Sequence, residues 1–97
     1  MIYESIGDEK LTVAGTAVGF AAIPTTGVLY YALVSVETAP VRINAFATPT
    51  AGGAEGSILK YPGESFKVWG SKDIDSFKAI RQTTTSGVLQ ILYFGTK

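Results

Sequence analysis

The sequence predicts an all-β chain: a single-domain antiparallel β-sandwich, jelly-roll or Ig-like, of about seven or eight short strands. Three observations carry this. Val, Ile and Thr, whose β-branched side chains suit a pleated surface, make up 27 of the 97 residues. Apolar residues recur at every second position in several short runs. Clusters of Pro, Gly, Thr and Ser separate those runs.

The elements follow in order. Met1–Lys10 reads as an extended N-terminal arm, and Glu9–Ala14 is the first alternating run, with Leu11 and Val13 on one face. Ala17–Ala22 alternates softly through Val18 and Phe20, and Pro24-Thr25-Thr26-Gly27 is a turn. Val28–Glu37 is the strongest strand: Val28, Tyr30, Ala32, Val34 and Val36 face one way, Leu29, Tyr31, Leu33 and Ser35 the other. Thr38-Ala39-Pro40 breaks it, and Val41–Phe46 restarts the alternation. Ala47–Gly56 is a loop by composition, Ile58–Lys60 a short strand, and Tyr61-Pro62-Gly63 a turn. Ser65–Trp69 sets Phe66 and Val68 against Lys67 and Trp69. Ser71–Gln82 fits two patterns: Ile74, Phe77 and Ile80 recur near helical spacing, with Ser71 or Asp73 as a cap, yet Phe77–Arg81 also alternates. Its strand neighbours favour a turn at Asp73–Ser76 followed by a strand. Thr83-Thr84-Thr85-Ser86-Gly87 then reads as a hairpin loop into Leu89–Phe94.

Size scaling gives a chain of this mass about 5,300 Å² of folded surface against about 14,800 Å² extended, enough burial for one core spanning 1–97. Eight basic against eight acidic side chains leave a net charge of zero, which removes the electrostatic footprint of a nucleic-acid or anionic-membrane binder. No Cys and no His are present, so thiolate nucleophiles, Cys/His zinc sites and histidine-based triads are excluded. Glu4 stands where a signal peptide needs base, which predicts no secretory signal. The uncharged stretch Leu11–Val36 is long enough to span a bilayer, but its central Pro-Thr-Thr-Gly and its hydroxyls predict two strands around a turn.

Candidate chemistry is sparse. Asp73 and Asp75 lack the further donors of a calcium loop and read as solvated turn carboxylates. Gly52-Gly53-Ala54-Glu55-Gly56 feeds a strand, where a phosphate loop feeds a helix, and it contains an acid. A glycosidase pair needs only two carboxylates at a set separation, which sequence spacing does not show. The expectation is a protein that is not an enzyme and needs no cofactor or metal. Tyr30, Tyr31, Tyr61 and Trp69 suggest either packing or a stacking platform for sugars.

One feature stands out. Val28–Val36 and Leu89–Phe94 are apolar on both faces, whereas a sandwich strand normally shows water one of its faces. Charged residues are 16% of the chain, below the roughly 25% of ordinary soluble domains. Together these predict that one sheet face meets another protein, with Tyr30, Tyr31, Leu33, Trp69, Leu92 and Phe94 as candidate interface residues. The alternative is that the long loop or the N-terminal segment folds over that face.

From Tyr31 onward the chain carries Ala32-Leu33-Val34, Glu37-Thr38-Ala39-Pro40-Val41-Arg42, Thr48-Pro49-Thr50 with a Gly-rich loop, Ile58-Leu59 and Gly63-Glu64. Ile74, Phe77-Lys78-Ala79-Ile80-Arg81 and Ser86-Gly87-Val88-Leu89 leading to Tyr93-Phe94 follow. In that order these pieces resemble small proteins of bacteriophage and prophage structural gene clusters. Where the related pattern carries Asp-Gly before Thr-Pro-Thr, this chain reads Ala45-Phe46-Ala47. The resemblance implies a non-enzymatic virion structural protein, most simply a capsid decoration (cement) protein that stabilises the head lattice. It also implies assembly in the host cytoplasm onto the capsid surface, or onto neck or tail. The implied partners are itself, as a homo-oligomer with a trimer favoured, and a major capsid or other virion protein, with no nucleic acid and no membrane. Met1–Lys10 and the Ala47–Gly56 loop are expected to be mobile grips that order on binding. The competing expectation is a carbohydrate-binding or adaptor module of a phage neck or tail, using Trp69 and the tyrosines.

Overall fold

The computed structural model describes residues 3–96. Among them the alternating runs become seven strands: β1 (Glu4–Val13), β2 (Val28–Glu37), β3 (Val41–Asn44), β4 (Ile58–Lys60), β5 (Ser65–Trp69), β6 (Lys78–Arg81) and β7 (Gly87–Thr96). One short helix, α1 (Ser71–Ser76), lies between β5 and β6. All pairings are antiparallel, in a four-stranded sheet of order β1-β7-β2-β5 and a three-stranded sheet of order β4-β3-β6. The sheets pack face to face as an all-β sandwich with a surface of 5353 Å², matching the size expected for the mass.

The winding is specific. Val18 and Ala79 exchange both backbone hydrogen bonds (2.9 and 2.8 Å), so Val18 extends the smaller sheet beyond β6. The pairs are then nested: β1 with β7, Val18 with β6, β2 with β5, β3 with β4. A long hairpin folded over on itself in this way is a jelly roll, its second strand here shrunk to one bridge. The soft alternation of Ala17–Ala22 fails to propagate because Gly19 lies against β6, where a Cβ would sit 2.9 Å from the Phe77 carbonyl oxygen.

The core lies between the sheets. Val13, Ala32, Val34, Val36, Leu89, Ile91 and Tyr93 from the larger sheet meet Val41, Ala79, Ile74 and Phe77. Phe20 closes one side, stacked on Phe77 (4.4 Å between centroids, 5° between planes) and edge-on to Tyr93 (5.8 Å, 89°).

Four expectations are corrected. Residues 4–10 form the first part of β1, paired with β7, where an arm was expected; Met1 and Ile2 lie outside the described residues. Asp73–Ser76 belongs to a helix, whose start at Gly70 (φ 85°) has no side-chain cap from Ser71 or Asp73 and whose Ile74 is fully buried. Thr83–Gly87 is no hairpin loop, because β6 and β7 belong to different sheets.

The fourth correction concerns parity. Leu29 stands opposite Gly95 and Tyr31 opposite Phe94, so Tyr30 is an extra residue, a β-bulge. Before the bulge the faces exchange: Leu29 packs on the core and Val28 is 53% exposed, the reverse of strict alternation. β1 bulges at the same level, between Ser5 and Gly7. Gly95 sits between the two bulges, where a Cβ would lie 1.9 Å from the Val28 carbonyl oxygen. Only glycine permits that approach.

Candidate functional site

The outer face of the four-stranded sheet is built by register. Even-numbered residues of β2 from Ala32 to Val36 point inward, which sends Tyr31, Leu33 and Ser35 outward; β7 does the same with Phe94, Leu92 and Gln90. Reading across the strands gives three rows. The first is Trp69, Tyr31, Phe94 and Ser5; the second Lys67, Leu33, Leu92 and Asp8; the third Ser65, Ser35, Gln90 and Lys10. The face therefore grades from aromatic, through aliphatic, to polar.

The aromatic end is a connected cluster. Tyr31 stacks on Phe94 (4.8 Å, 14°) and leans on Trp69 (4.8 Å, 44°). The bulge turns Tyr30 toward the same cluster, where the Tyr3 ring meets it at 4.6 Å and meets Tyr31 edge-on at 6.1 Å. The Lys67 ammonium lies 4.9 Å from the Tyr31 ring and 5.3 Å from Trp69, a cation–π arrangement. Trp69 and Tyr3 are each about half exposed, at 56% and 47%. At the other end Leu33, Ser35, Ser65, Gln90 and Leu92 surround an open hollow of about 200 Å³.

The structure thus gathers Tyr30, Tyr31, Leu33, Trp69, Leu92 and Phe94 at one face, five by alternation and Tyr30 by its bulge. Sequence reasoning missed Tyr3 and Lys67. Register with Leu33 would have found Lys67; nothing in the sequence places Tyr3. It also missed Phe46, 90% exposed beyond the end of β3.

The other candidates separate. Asp73 and Asp75 are exposed on α1, Asp73 beside Lys72 (3.8 Å), and among the described residues no group of three or more ligating side chains could hold a metal. Asp8 and Glu9 point to opposite faces of β1, as their opposite partners Leu92 and Ile91 require. Glu9 is a structural acceptor: the Ala21 amide donates to both its oxygens (3.1 and 3.0 Å), the Ala22 amide to Oε1 (2.9 Å), and the Tyr93 hydroxyl to Oε1 (2.5 Å). Burial, reinforced by the hydrogen bond to Glu9 and its charge, holds the Tyr93 phenol well above the usual tyrosine range.

The loop 45–57, which contains the expected grip Ala47–Gly56, is anchored at its base by internal hydrogen bonds. Pro49 and Ser57 are buried, Thr50 N–H donates to Ser57 Oγ (3.1 Å), and Ala54 N–H donates to Thr50 Oγ1 (2.9 Å). Arg42 donates from Nη1 to the Ser57 carbonyl (2.9 Å) and from Nε to Gln82 Oε1 (2.8 Å). The guanidinium near Gly53 is therefore a brace for the loop. It is already engaged and is no anion hook.

Comparison with known protein families, with curated proteins and with solved structures finds no match for this chain.

Proposed function

We propose that this protein is a non-enzymatic structural component of a bacteriophage virion, a capsid decoration protein that docks on its lattice through the outer face of the four-stranded sheet. One observation carries the reading: the graded face, whose aromatic row runs across β5, β2 and β7 as Trp69, Tyr31 and Phe94, beside the aliphatic pair Leu33 and Leu92 on β2 and β7. Such a face is what an interface core with a polar rim requires. The jelly-roll winding is common to viral capsid domains and lectins, which supports the reading by analogy of fold alone.

The test is to make particles from the gene cluster that encodes the chain and count its copies by mass spectrometry. The expected result is many copies per particle, lost in a Tyr31→Glu/Leu33→Glu variant whose circular dichroism is unchanged. Tyr30→Glu/Val34→Glu should instead prevent folding, because Val34 is fully buried. Particles without the protein, or full occupancy by the outward variant, would refute the reading.

A second reading rests on Trp69, half exposed beside Tyr31: a sugar-binding module of a neck or tail. Trp69 is the single tryptophan, so its fluorescence reports directly on a ligand at that spot. Titration with oligosaccharides that shifts its emission, combined with absence from the head, would favour this reading over decoration.

A further inference from the structure

We infer that two copies of this chain pair about a two-fold axis by exchanging Phe46, each ring entering an apolar hollow between β4 and β5 of the other copy. This goes beyond the docking of the outer sheet face: its knob is Phe46 and its occupant a second copy, and it shares with that face only Lys67 and Trp69 at the edge of β5.

The knob is held in place. Phe46 is 90% exposed, yet its backbone is fixed, because Asn44 Oδ1 accepts from the Phe46 N–H (2.7 Å) and the Ala47 N–H (3.0 Å). Gly56 closes over Asn44 from the return leg of the loop: a Cβ there would lie 2.8 Å from Asn44 Nδ2. A large apolar ring presented rigidly to solvent gains nothing for the isolated fold.

The hollow lies beside it. It has a volume of about 280 Å³ and is walled by Ile43, Ile58, Phe66, Trp69 and Phe77, with Ile58 and Trp69 themselves more than half exposed. A cavity of about 150 Å³ accepts benzene, so a phenyl ring fits here with room. Asn44 and Gly56 border both this hollow and the recess under Phe46. Knob and hollow side by side on one surface are what a two-fold contact needs, since each copy then gives and receives the same group.

Charge and backbone agree with a second copy as the occupant. Glu55 accompanies Phe46, and Lys67 and Asp73 border the hollow; Asp73 has Lys72 beside it (3.8 Å), whereas neither Glu55 nor Lys67 has an ion-pair partner among the described residues. The exchange brings Glu55 of each copy toward Lys67 of the other. The hydrogen bonds Gly70 N–H to Tyr30 O (2.8 Å) and Val36 N–H to Glu64 O (2.9 Å) set the even residues of β5 facing β2. Ser65, Lys67 and Trp69 consequently aim their backbone groups at the same open side, an edge that a second copy would cover. The three residues of β4, the five of β5 and the loop 45–57 together match the roughly 20–30 residues a standard interface takes from each partner.

Sedimentation equilibrium of the purified chain over a dilution series tests this, with Trp69 emission as a second readout. The expected result is a monomer–dimer equilibrium in which dilution red-shifts Trp69. Phe46→Asp should raise the dissociation constant at least 100-fold without lowering the melting temperature of the monomer. Chains carrying Phe46→Cys, mixed with chains carrying Ile58→Cys, should form a disulfide between copies, the natural chain having no cysteine to interfere. A wild-type chain that stays monomeric to millimolar concentration, a larger closed ring, or a dimer indifferent to Phe46→Asp would overturn the inference. A dimer broken by Tyr31→Glu/Leu33→Glu and not by Phe46→Asp would overturn it too and assign self-association to the outer sheet face. Incorporation into particles tests the docking role separately.

Discussion

The sandwich has two sides where the edges of its sheets come together, and the chain treats them differently. On the β1/β6 side the segment between β1 and β2 acts as a seal: Val18 bridges to β6, Phe20 enters the core, and Glu9 ties the amides of Ala21 and Ala22. Pro24 lies so close over β1 that a Cβ on Gly7 would be 2.9 Å from its ring. On the β4/β5 side nothing comparable crosses among the described residues; a hollow of about 280 Å³ is rimmed by Trp69 and Ile58, and Phe46 projects beside it. Two connections are long, residues 14–27 and 45–57, and the first is laid down as the seal of one side. The other long connection, 45–57, is braced to display its phenylalanine and does not bury it. The lesson is that apolar side chains at the two sides are used differently, for internal closure at one and, in the pairing we propose, for contact with a second copy at the other.

Two phenylalanines give the largest test of that contrast. Phe20→Ala removes a ring stacked on Phe77 and edge-on to Tyr93, and should cost about 3 kcal/mol of unfolding free energy. Phe46→Ala should change it by less than about 0.5 kcal/mol. Urea denaturation at a concentration low enough to keep the chain monomeric makes the comparison, since dimerisation would add stability by mass action. Equal losses at the two positions would erase the distinction between seal and knob.

The next effect belongs to the seal alone. Glu9→Ala strips the acceptor from the Tyr93 hydroxyl and from two backbone amides, and should cost about 2 kcal/mol. Tyr93→Phe leaves Glu9 its backbone donors and should cost less, about 1 kcal/mol. The pair also predicts a pH dependence. The Tyr93 phenol is raised in the folded state from its ordinary 10.0, so its contribution is complete below about pH 10 and is lost as pH rises beyond. The unfolded chain ionises there while the folded one does not, which steepens the loss by up to about 1.4 kcal/mol per pH unit. Tyr93→Phe should flatten the alkaline limb of a stability–pH profile; an unchanged limb would show that the phenol is not sealed.

Much of this contrast was legible in the sequence, in pieces. Strands β2, β4 and β5 occupy the stretches their alternation and bounding turns mark out, and the apolar character of both faces of β2 and β7 was plain, although their pairing with each other emerges only in the fold. The second half of β1 was read from the Glu9–Ala14 alternation, while its first half was hidden because Gly7 and a bulge between Ser5 and Gly7 interrupt the inward row. The bulge at Tyr30 depends on the crowding of Val28 against Gly95, a relation between strands 67 positions apart in sequence. Phe46 was invisible for a different reason. Alternation places it simply after Asn44 and Ala45, and only the Asx turn and the braced loop decide that it faces solvent.

The smallest predicted effect sharpens the open side. Lys67 stands in the middle of β5 and does two things: its ammonium sits over Tyr31 and Trp69, and its charge guards an edge with outward backbone groups at residues 65, 67 and 69. Exposed cation–π contacts contribute about 0.5–1 kcal/mol, so Lys67→Thr, which keeps a good strand former, should lower stability by no more than that. Its larger consequence should be kinetic. With the charge gone, the edge of β5 presents unpaired donors and acceptors between an exposed Trp69 and Phe66, the pattern that recruits further strands. Turbidity at 37 °C should therefore rise faster for Lys67→Thr than for Lys10→Thr, the same exchange on the outer row of β1 at the sealed side. Lys10 is exposed and makes no aromatic contact among the described residues, so its loss should leave both stability and solubility nearly unchanged. If the two variants precipitate alike, the open side needs no guard, and the asymmetry between the two sides is one of shape without consequence for association.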